Sequence, residues 1–176
     1  PWVTREFQVQ DLMAQHSGLP AYSGDLLALL GFPRPAMIRA LGFYRPVTSF
    51  RSSFAYVNHL WLVAAALYEA KSGETWEEGM NRRLLGPLGM ESSTLDLKGF
   101  LGAPNRVSPH RWRNGRAEPI PDDWPFQDWV YLYGPAGGLN ASLLDMTRWT
   151  AFQLSGEAGG RVLLKPETRA YLHRPQ

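Results

Sequence analysis

Phe54-Ala55-Tyr56-Val57-Asn58 is the stretch on which the reading of this chain turns. A tyrosine and an asparagine stand two apart, just before a long apolar run. In an extended segment, residues two apart point to the same side, so a phenol and a carboxamide would face one cavity. A phenol ordinarily loses its proton near pH ~10, too high for a base at neutral pH. A neighbouring ammonium favours the phenolate, or a strong hydrogen bond to it. Plainer roles compete with this one. Tyr56 could be a packed aromatic with its hydroxyl on a backbone carbonyl, and Asn58 could be the N-cap of the following helix.

That helix is the clearest element in the sequence. Leu60, Val63, Ala64 and Leu67 trace one face from Asn58 onward, and Gly73 closes it. Trp61, Leu62, Ala65 and Ala66 fill much of the other side, which predicts a helix buried inside the domain. Thr75-Trp-Glu-Glu78 is a capping box, in which the threonine oxygen takes the third backbone N–H and the glutamate reaches back. It opens a helix through Met80, Leu84 and Leu85 that ends at Gly86-Pro87. Ser142-Leu-Leu-Asp145 reads as a second box, opening a helix through Met146, Trp149, Ala151, Phe152 and Leu154, with Gly156, Gly159 and Gly160 ending it. Pro166 fits the first turn of a last helix.

Upstream, Val9, Leu12 and Met13 recur at helical spacing, and Gly18-Leu19-Pro20 stops the run. Leu26 to Leu30 is a short apolar stretch closed by Gly31, Pro33 and Pro35. Met37, Ile38 and Leu41 predict a short helix ending at Gly42. Pro46 to Ser53 reads as a loop. Between Gly99 and Gly134 the pattern changes. Val107 to Trp112, Asn114-Gly115 and Arg116 to Ile120 predict a hairpin, because Asn-Gly supplies the positive φ angles of a tight turn. Pro119 and Pro121 confine the second strand to an edge.

Three further segments set the register of a resemblance: His16-Ser17-Gly18-Leu19-Pro20, Gly86-Pro87-Leu88-Gly89-Met90, and Gly134-Pro135-Ala136-Gly137-Gly138-Leu139. With Tyr56-Val-Asn58 between the first two, the chain resembles the serine β-lactamase/penicillin-binding-protein-like hydrolases, chiefly their class C-like esterase and D-peptidase branch. The resemblance covers nearly the whole chain. It implies an α+β fold, of which this chain holds mainly the helical subdomain and a small hairpin region, with the central sheet largely missing. Residues 1–176 would then form a partial domain. The family's nucleophile motif, Ser-x-x-Lys, is absent from the sequence. In the register of the resemblance it would precede Pro1, and the third motif, a His- or Lys-x-Gly on a sheet strand, would follow Gln176. One departure is visible: the family's His-Thr-Ser-Gly-Leu has one residue more between histidine and serine.

By this resemblance, Tyr56 shares protons with the missing lysine and serine, and Asn58 orients that lysine and the substrate's acyl or amide group. Tyr131 and Tyr133 line the acyl-group pocket, although a strand packing alternate residues inward fits the same spacing. Gly137 and Gly138 let backbone approach a ligand closely, or else form a tight turn. The family mechanism needs no metal and no organic cofactor. The implied partner is a small-molecule or peptide substrate, with another segment or chain completing the sheet. A periplasmic or extracellular location is expected. The chain alone is expected to be inactive. The alternative is a noncatalytic domain of the same fold that binds a peptide or cell-wall ligand.

Composition narrows the field further. The chain has no cysteine, which excludes thiol nucleophiles, disulfides and zinc-thiolate sites. Net charge is +2, and no basic cluster interleaves with aromatics as a nucleic-acid surface requires. No apolar run reaches membrane-spanning length. Seven tryptophans point to broad packing surfaces or a cleft. The histidines at 16, 59, 110 and 173 lack metal-ligand spacing. His59, beside the tyrosine–asparagine pair, reads as a helix-surface residue, and His16 as a helix-end residue meeting the dipole. Ser17 has no strained elbow and no adjacent base, so it is not a nucleophile.

Overall fold

A computed structural model describes residues 2–175. Eleven α-helical segments and four short strands are described: α1 Trp2–Glu6, α2 Val9–Ala14, α3 Leu26–Leu29, α4 Arg34–Ala40, α5 Asn58–Ser72, α6 Trp76–Met80, α7 Leu97–Gly102, β1 His110–Arg113, β2 Arg116–Pro119, α8 Trp129–Leu132, α9 Gly134–Gly137, α10 Leu143–Ser155, β3 Glu157–Ala158, β4 Arg161–Val162 and α11 Pro166–His173. The fold is α+β and mostly helical. Among the described residues the sheets are two antiparallel pairs, β1–β2 and β3–β4. The chain forms two compact units. Residues up to Ala64 join Leu95–Leu139 in the first, and Ala65–Thr94 joins the residues from Asn140 onward in the second.

The first unit has two buried clusters. One gathers Ala28, Met37, Leu62 and Tyr133, with Leu27, Ile38, Leu132 and Ala136 packed on it. The other gathers Leu12, Val57 and Leu60, with Phe7, Leu19, Leu41, Val63 and Ala64. Helix α5 feeds both clusters because it is apolar on more than one side. Its burial is incomplete all the same, since Leu67 is exposed.

The predicted hairpin is present, with His110 opposite Pro119 and Arg113 opposite Arg116. Asn114 and Gly115 have φ of 50° and 77°, the sign that the turn between twisted strands demands. The Thr75 box also forms: Thr75 Oγ1 accepts the Glu78 N–H at 3.2 Å and Glu78 returns to the Thr75 N–H at 2.8 Å. Beyond Met80 the helix widens into a π turn over Asn81–Leu85. At its side, Glu74 takes Arg82, Arg83 and the Tyr68 hydroxyl, and these donors hold its carboxyl down at about 2.

Three expectations are corrected. Helix α2 ends at Ala14, before Gly18, with Gln15 as its C-cap in the left-handed conformation, φ 59°. The buried Gln15 side chain compensates by donating to the Leu12 carbonyl at 3.2 Å and accepting the Val57 N–H at 2.7 Å. Helix α4 stops at Ala40, and a 3-10 turn over Leu41–Phe43 carries the chain past Gly42. The Ser142 box is only half made. Ser142 Oγ accepts the Asp145 N–H at 3.1 Å, but the Asp145 carboxylate is drawn instead to Ser92 N–H at 3.0 Å, Ser93 Oγ at 2.9 Å and Arg148 at 2.8 Å. Three donors in a buried place outweigh one helix-end amide.

Candidate active site

All six predicted site residues lie in the first unit. The segment 54–57 is irregular, and α5 starts at Asn58. Two neighbouring segments hold this run in place. Gln15 accepts the Val57 N–H with its side chain, and its carbonyl accepts the Ala55 N–H at 3.0 Å. From a turn over Tyr22–Asp25, the Tyr22 N–H donates to the Tyr56 carbonyl at 2.8 Å. The two tyrosine rings lie 5.8 Å apart. Tyr22 itself sits at φ 60°, an unusual state for a bulky residue and one that needs surrounding contacts to hold it.

Tyr56 is 36 % exposed, and among the described residues nothing hydrogen-bonds its hydroxyl. Its phenol therefore does not rest on a backbone carbonyl. Asn58 is half-buried and does not act as an N-cap. It is the first helical residue, and its Nδ2 donates to Asp25 Oδ2 at 2.9 Å. Neither side chain is sealed in the interior.

Behind this pair lies His59, and here the sequence expectation fails. His59 is fully buried, not on the helix surface, and neither ring nitrogen has a hydrogen-bond partner among the described residues. Its ring meets Tyr133 edge-on at 5.5 Å between centroids. Gly24 closes the other side: a Cβ there would lie 2.5 Å from His59 Cε1 and 2.7 Å from the Tyr44 hydroxyl, at a φ of +83°. Burial pushes the His59 pKa down. The Asp25 carboxylate and the Ser23 backbone attract a proton more weakly, the latter without forming a normal hydrogen bond.

Tyr133 follows α8, so the strand alternative for Tyr131 and Tyr133 does not hold. Arg34 stabilises that helix end by donating to the Leu132 carbonyl at 3.1 Å and the Tyr131 carbonyl at 2.9 Å. Tyr131 is half-buried, whereas Tyr133 is 4 % exposed. The Tyr133 hydroxyl donates to the Gly24 carbonyl at 3.1 Å and stands 3.5 Å from Asp25 Oδ1. Desolvation, with Asp25 close by, raises its pKa far above the usual phenol value. Tyr133 is thus a core anchor, and it shares Asp25 with Asn58.

The two glycines differ. Gly138 is buried, and a Cβ there would fall 2.7 Å from Gly134 Cα, so it serves the tight path of α9. Gly137 is exposed, with open space where a Cβ would stand. His16-Ser17-Gly18 is a helix-exit turn. Ser17 Oγ accepts the Leu19 N–H at 3.2 Å, and Gly18 sits at φ +83°, where a Cβ would lie 2.6 Å from the Thr48 carbonyl oxygen. Lys71-Ser72-Gly73, a literal Lys-x-Gly, ends helix α5 and is not on a strand. Among the described residues no cluster of His, Asp or Glu could hold a metal ion, and no helix is long and apolar enough to cross a membrane.

The site as built offers a half-open phenol, a held carboxamide and an aspartate behind it. The sequence did not single out Asp25 or Gln15. Asp25 is a short polar residue at a helix boundary, where capping is the expected role, and Gln15 stands at a helix end where no local signal calls for its side chain.

Comparison with known proteins follows this geometry. The family model described as Beta-lactamase matches residues 3–176. An unguisins hydrolase, ungD, of Aspergillus violaceofuscus is 23 % identical over 163 residues, which are 90 % of this chain and 29 % of the relative. The octameric penicillin-binding protein homologue from Pyrococcus abyssi superposes with a TM-score of 0.70 at 20 % identity, over 94 % of this chain and 37 % of that one. A D-stereospecific amidohydrolase from Streptomyces sp. gives 0.73 at 16 % identity, over 94 % and 50 %. The chain spans between under a third and a half of the length of these proteins. It belongs to the Beta-lactamase family, and its fold is that of the β-lactamase/penicillin-binding-protein group.

Proposed function

We propose that this chain carries the tyrosine–asparagine arm of a serine hydrolase that works through an acyl-enzyme. The observation behind the proposal is the pairing of an unengaged, half-open Tyr56 phenol with an Asn58 carboxamide held from behind, in a family member without Ser-x-x-Lys. The nucleophile and its lysine come from residues outside this chain. A serine oxygen attacks a carbonyl, while its proton passes to the lysine–Tyr56 pair. Backbone N–H groups hold the resulting oxyanion. The leaving group takes the proton as the acyl bond to serine is completed, and water then releases the acid. Asn58 orients the lysine and the substrate's amide. Tyr131 and Gly137 form the substrate edge, and Tyr133 and Gly138 support it from within.

An ester, amide or β-lactam carbonyl suits this chemistry. An amide is favoured, because amide-cleaving activity is named for the Streptomyces protein of the same fold. Another segment or chain completes the enzyme's sheet. A second reading, a noncatalytic ligand-binding domain, rests on the missing nucleophile alone.

The test is covalent labelling with a fluorescent fluorophosphonate or penicillin. This chain alone should take up neither probe, since without a nucleophile only weak assistance from binding is left. Labelling of the isolated chain would overturn the assignment of the nucleophile elsewhere. In a longer protein that does label, Tyr56→Phe should slow acylation by about 10²–10⁴-fold, the usual worth of a positioned proton carrier.

A further inference from the structure

We infer that Asp25 is a positioning residue of this site, acting through Asn58 by fixing which end of the amide stays free. The inference builds on the reading of Asn58 as a site residue. Asp25 occupies the N-cap of α3, where an aspartate ordinarily accepts an N–H from the next turn, yet it makes no such bond. Asn58 opens α5 and makes no cap either. These two residues, both suited to capping their own helices, turn to each other across a separation of 33 residues.

The pairing has one chemical consequence. An ionised carboxylate only accepts, so it can take only the NH₂ end of the amide. That leaves the Asn58 carbonyl oxygen unbonded among the described residues. Without Asp25 the amide could turn over and offer either end, since its two ends have nearly the same shape. With Asp25 in place the site presents an acceptor, which matches a donor on its ligand: an ammonium, or the N–H of an amide.

Asp25 is itself fastened. Its N–H donates to the Tyr22 carbonyl at 3.3 Å, and the Tyr22 N–H is bound to the Tyr56 carbonyl. The Tyr133 hydroxyl holds Gly24, the preceding residue, and stands beside the second Asp25 oxygen. His59 lies close enough for Asp25 to attract its proton. Asn58, Tyr133 and His59 are thus the groups around this carboxylate. The turn and the tyrosine–asparagine segment are tied by one backbone bond and one side-chain bond, which sets the amide's orientation without relying on Asn58's own rotamer preference.

The experiment is NMR of the ¹⁵N-labelled chain, following the Asn58 side-chain NH₂. In the parent chain, the proton bound to Asp25 should be displaced in shift, and the group should exchange about tenfold more slowly than a solvated asparagine, as expected for a charge-assisted bond. Asp25→Ala should return both properties to the solvated values. Asp25→Asn, which is neutral and can donate as well as accept, should lose most of the signature, and full retention there would overturn the role given to the carboxylate. Thermal unfolding of each variant identifies any that fails to fold, and the parent spectrum alone still decides the point. A solvated Asn58 signature in the parent chain would overturn the inference. So would an unchanged signature in folded Asp25→Ala. The signal is read without substrate, so it can fail while the hydrolase reading stands, and it can stand if labelling experiments remove that reading.

Discussion

Asp145 in the second unit and His59 in the first are both sealed from solvent, at 1 % and 0 % exposure, yet their surroundings are opposite. The Asp145 carboxylate meets a backbone N–H, a hydroxyl and a guanidinium. The His59 ring meets Gly24 and the ring of Tyr133 with the Asp25 carboxylate nearby, and neither nitrogen has a hydrogen-bond partner among the described residues. A satisfied buried network rigidifies and stabilises, while an unsatisfied one carries the desolvation penalty of the orphaned group. The second unit thus uses Asp145 to join its segments, although its Thr94 hydroxyl is also buried without a partner among the described residues. The first unit carries an unmet polar group directly behind the residues proposed for chemistry. Strain and unmet polar groups of this kind gather at functional sites, and Tyr22 at positive φ belongs to the same neighbourhood.

The sharpest way to break this contrast is Asp145→Ala. It strands three donors, one of them charged, and should destabilise the chain by about 3 kcal/mol. Urea unfolding measures it, and a change below about 1 kcal/mol would remove Asp145 from the role of a joint. Next in size is Gly24→Ala. The added carbon would collide with the His59 ring and the Tyr44 hydroxyl at a φ that L-residues resist. A loss of about 2 kcal/mol is expected from strain and overpacking together. A neutral result would mean that His59 is not closed in.

The smallest effect, and the one of opposite sign, belongs to His59→Phe. Replacing an unbonded polar ring by an apolar one removes the orphaned nitrogens, and after the cost of fitting one more ring atom beside Gly24 it should stabilise the chain by less than about 1 kcal/mol at pH 7. The pH dependence sharpens it. Burial sets the folded His59 pKa below its usual 6.5, so below that pH the unfolded chain binds the extra proton. Stability is therefore complete above pH ~6.5 and falls as pH drops toward the folded pKa, by at most ~1.4 kcal/mol per unit. Urea midpoints at pH 7 and pH 5 should move further apart in the parent chain than in His59→Phe. Equal displacement in both would show that His59 already has a partner.

Local signals were legible where a residue acts on its own neighbours. Asn114-Gly115 makes its turn, Thr75 with Glu78 makes its cap, and Pro166 starts its helix, because each preference is settled within about four residues. The reading failed where a distant partner competed for the same side chain. Asp145 leaves its half of a cap for Ser92 and Ser93, and Gln15 accepts a left-handed backbone because its side chain bonds Leu12 and Val57. His59 was misplaced for a related reason. A histidine near the start of an apolar helix looks solvated until Gly24, Tyr44 and Tyr133 are known to surround it. Tyr133 drew attention as a pocket aromatic, but its hydroxyl is taken by Gly24 on a segment more than a hundred residues earlier.

The sequence by itself determined the family motifs, the helical class, the hairpin and the missing nucleophile, because spacing and turn chemistry are written in neighbouring residues. Only the tertiary structure decided that Asp25 and Asn58 would bind each other in place of capping their own helices, and that His59 would be buried beside them. Both outcomes depend on which distant groups arrive within hydrogen-bond or van der Waals reach, and that distance is fixed by packing of the whole unit, with no counterpart in local sequence.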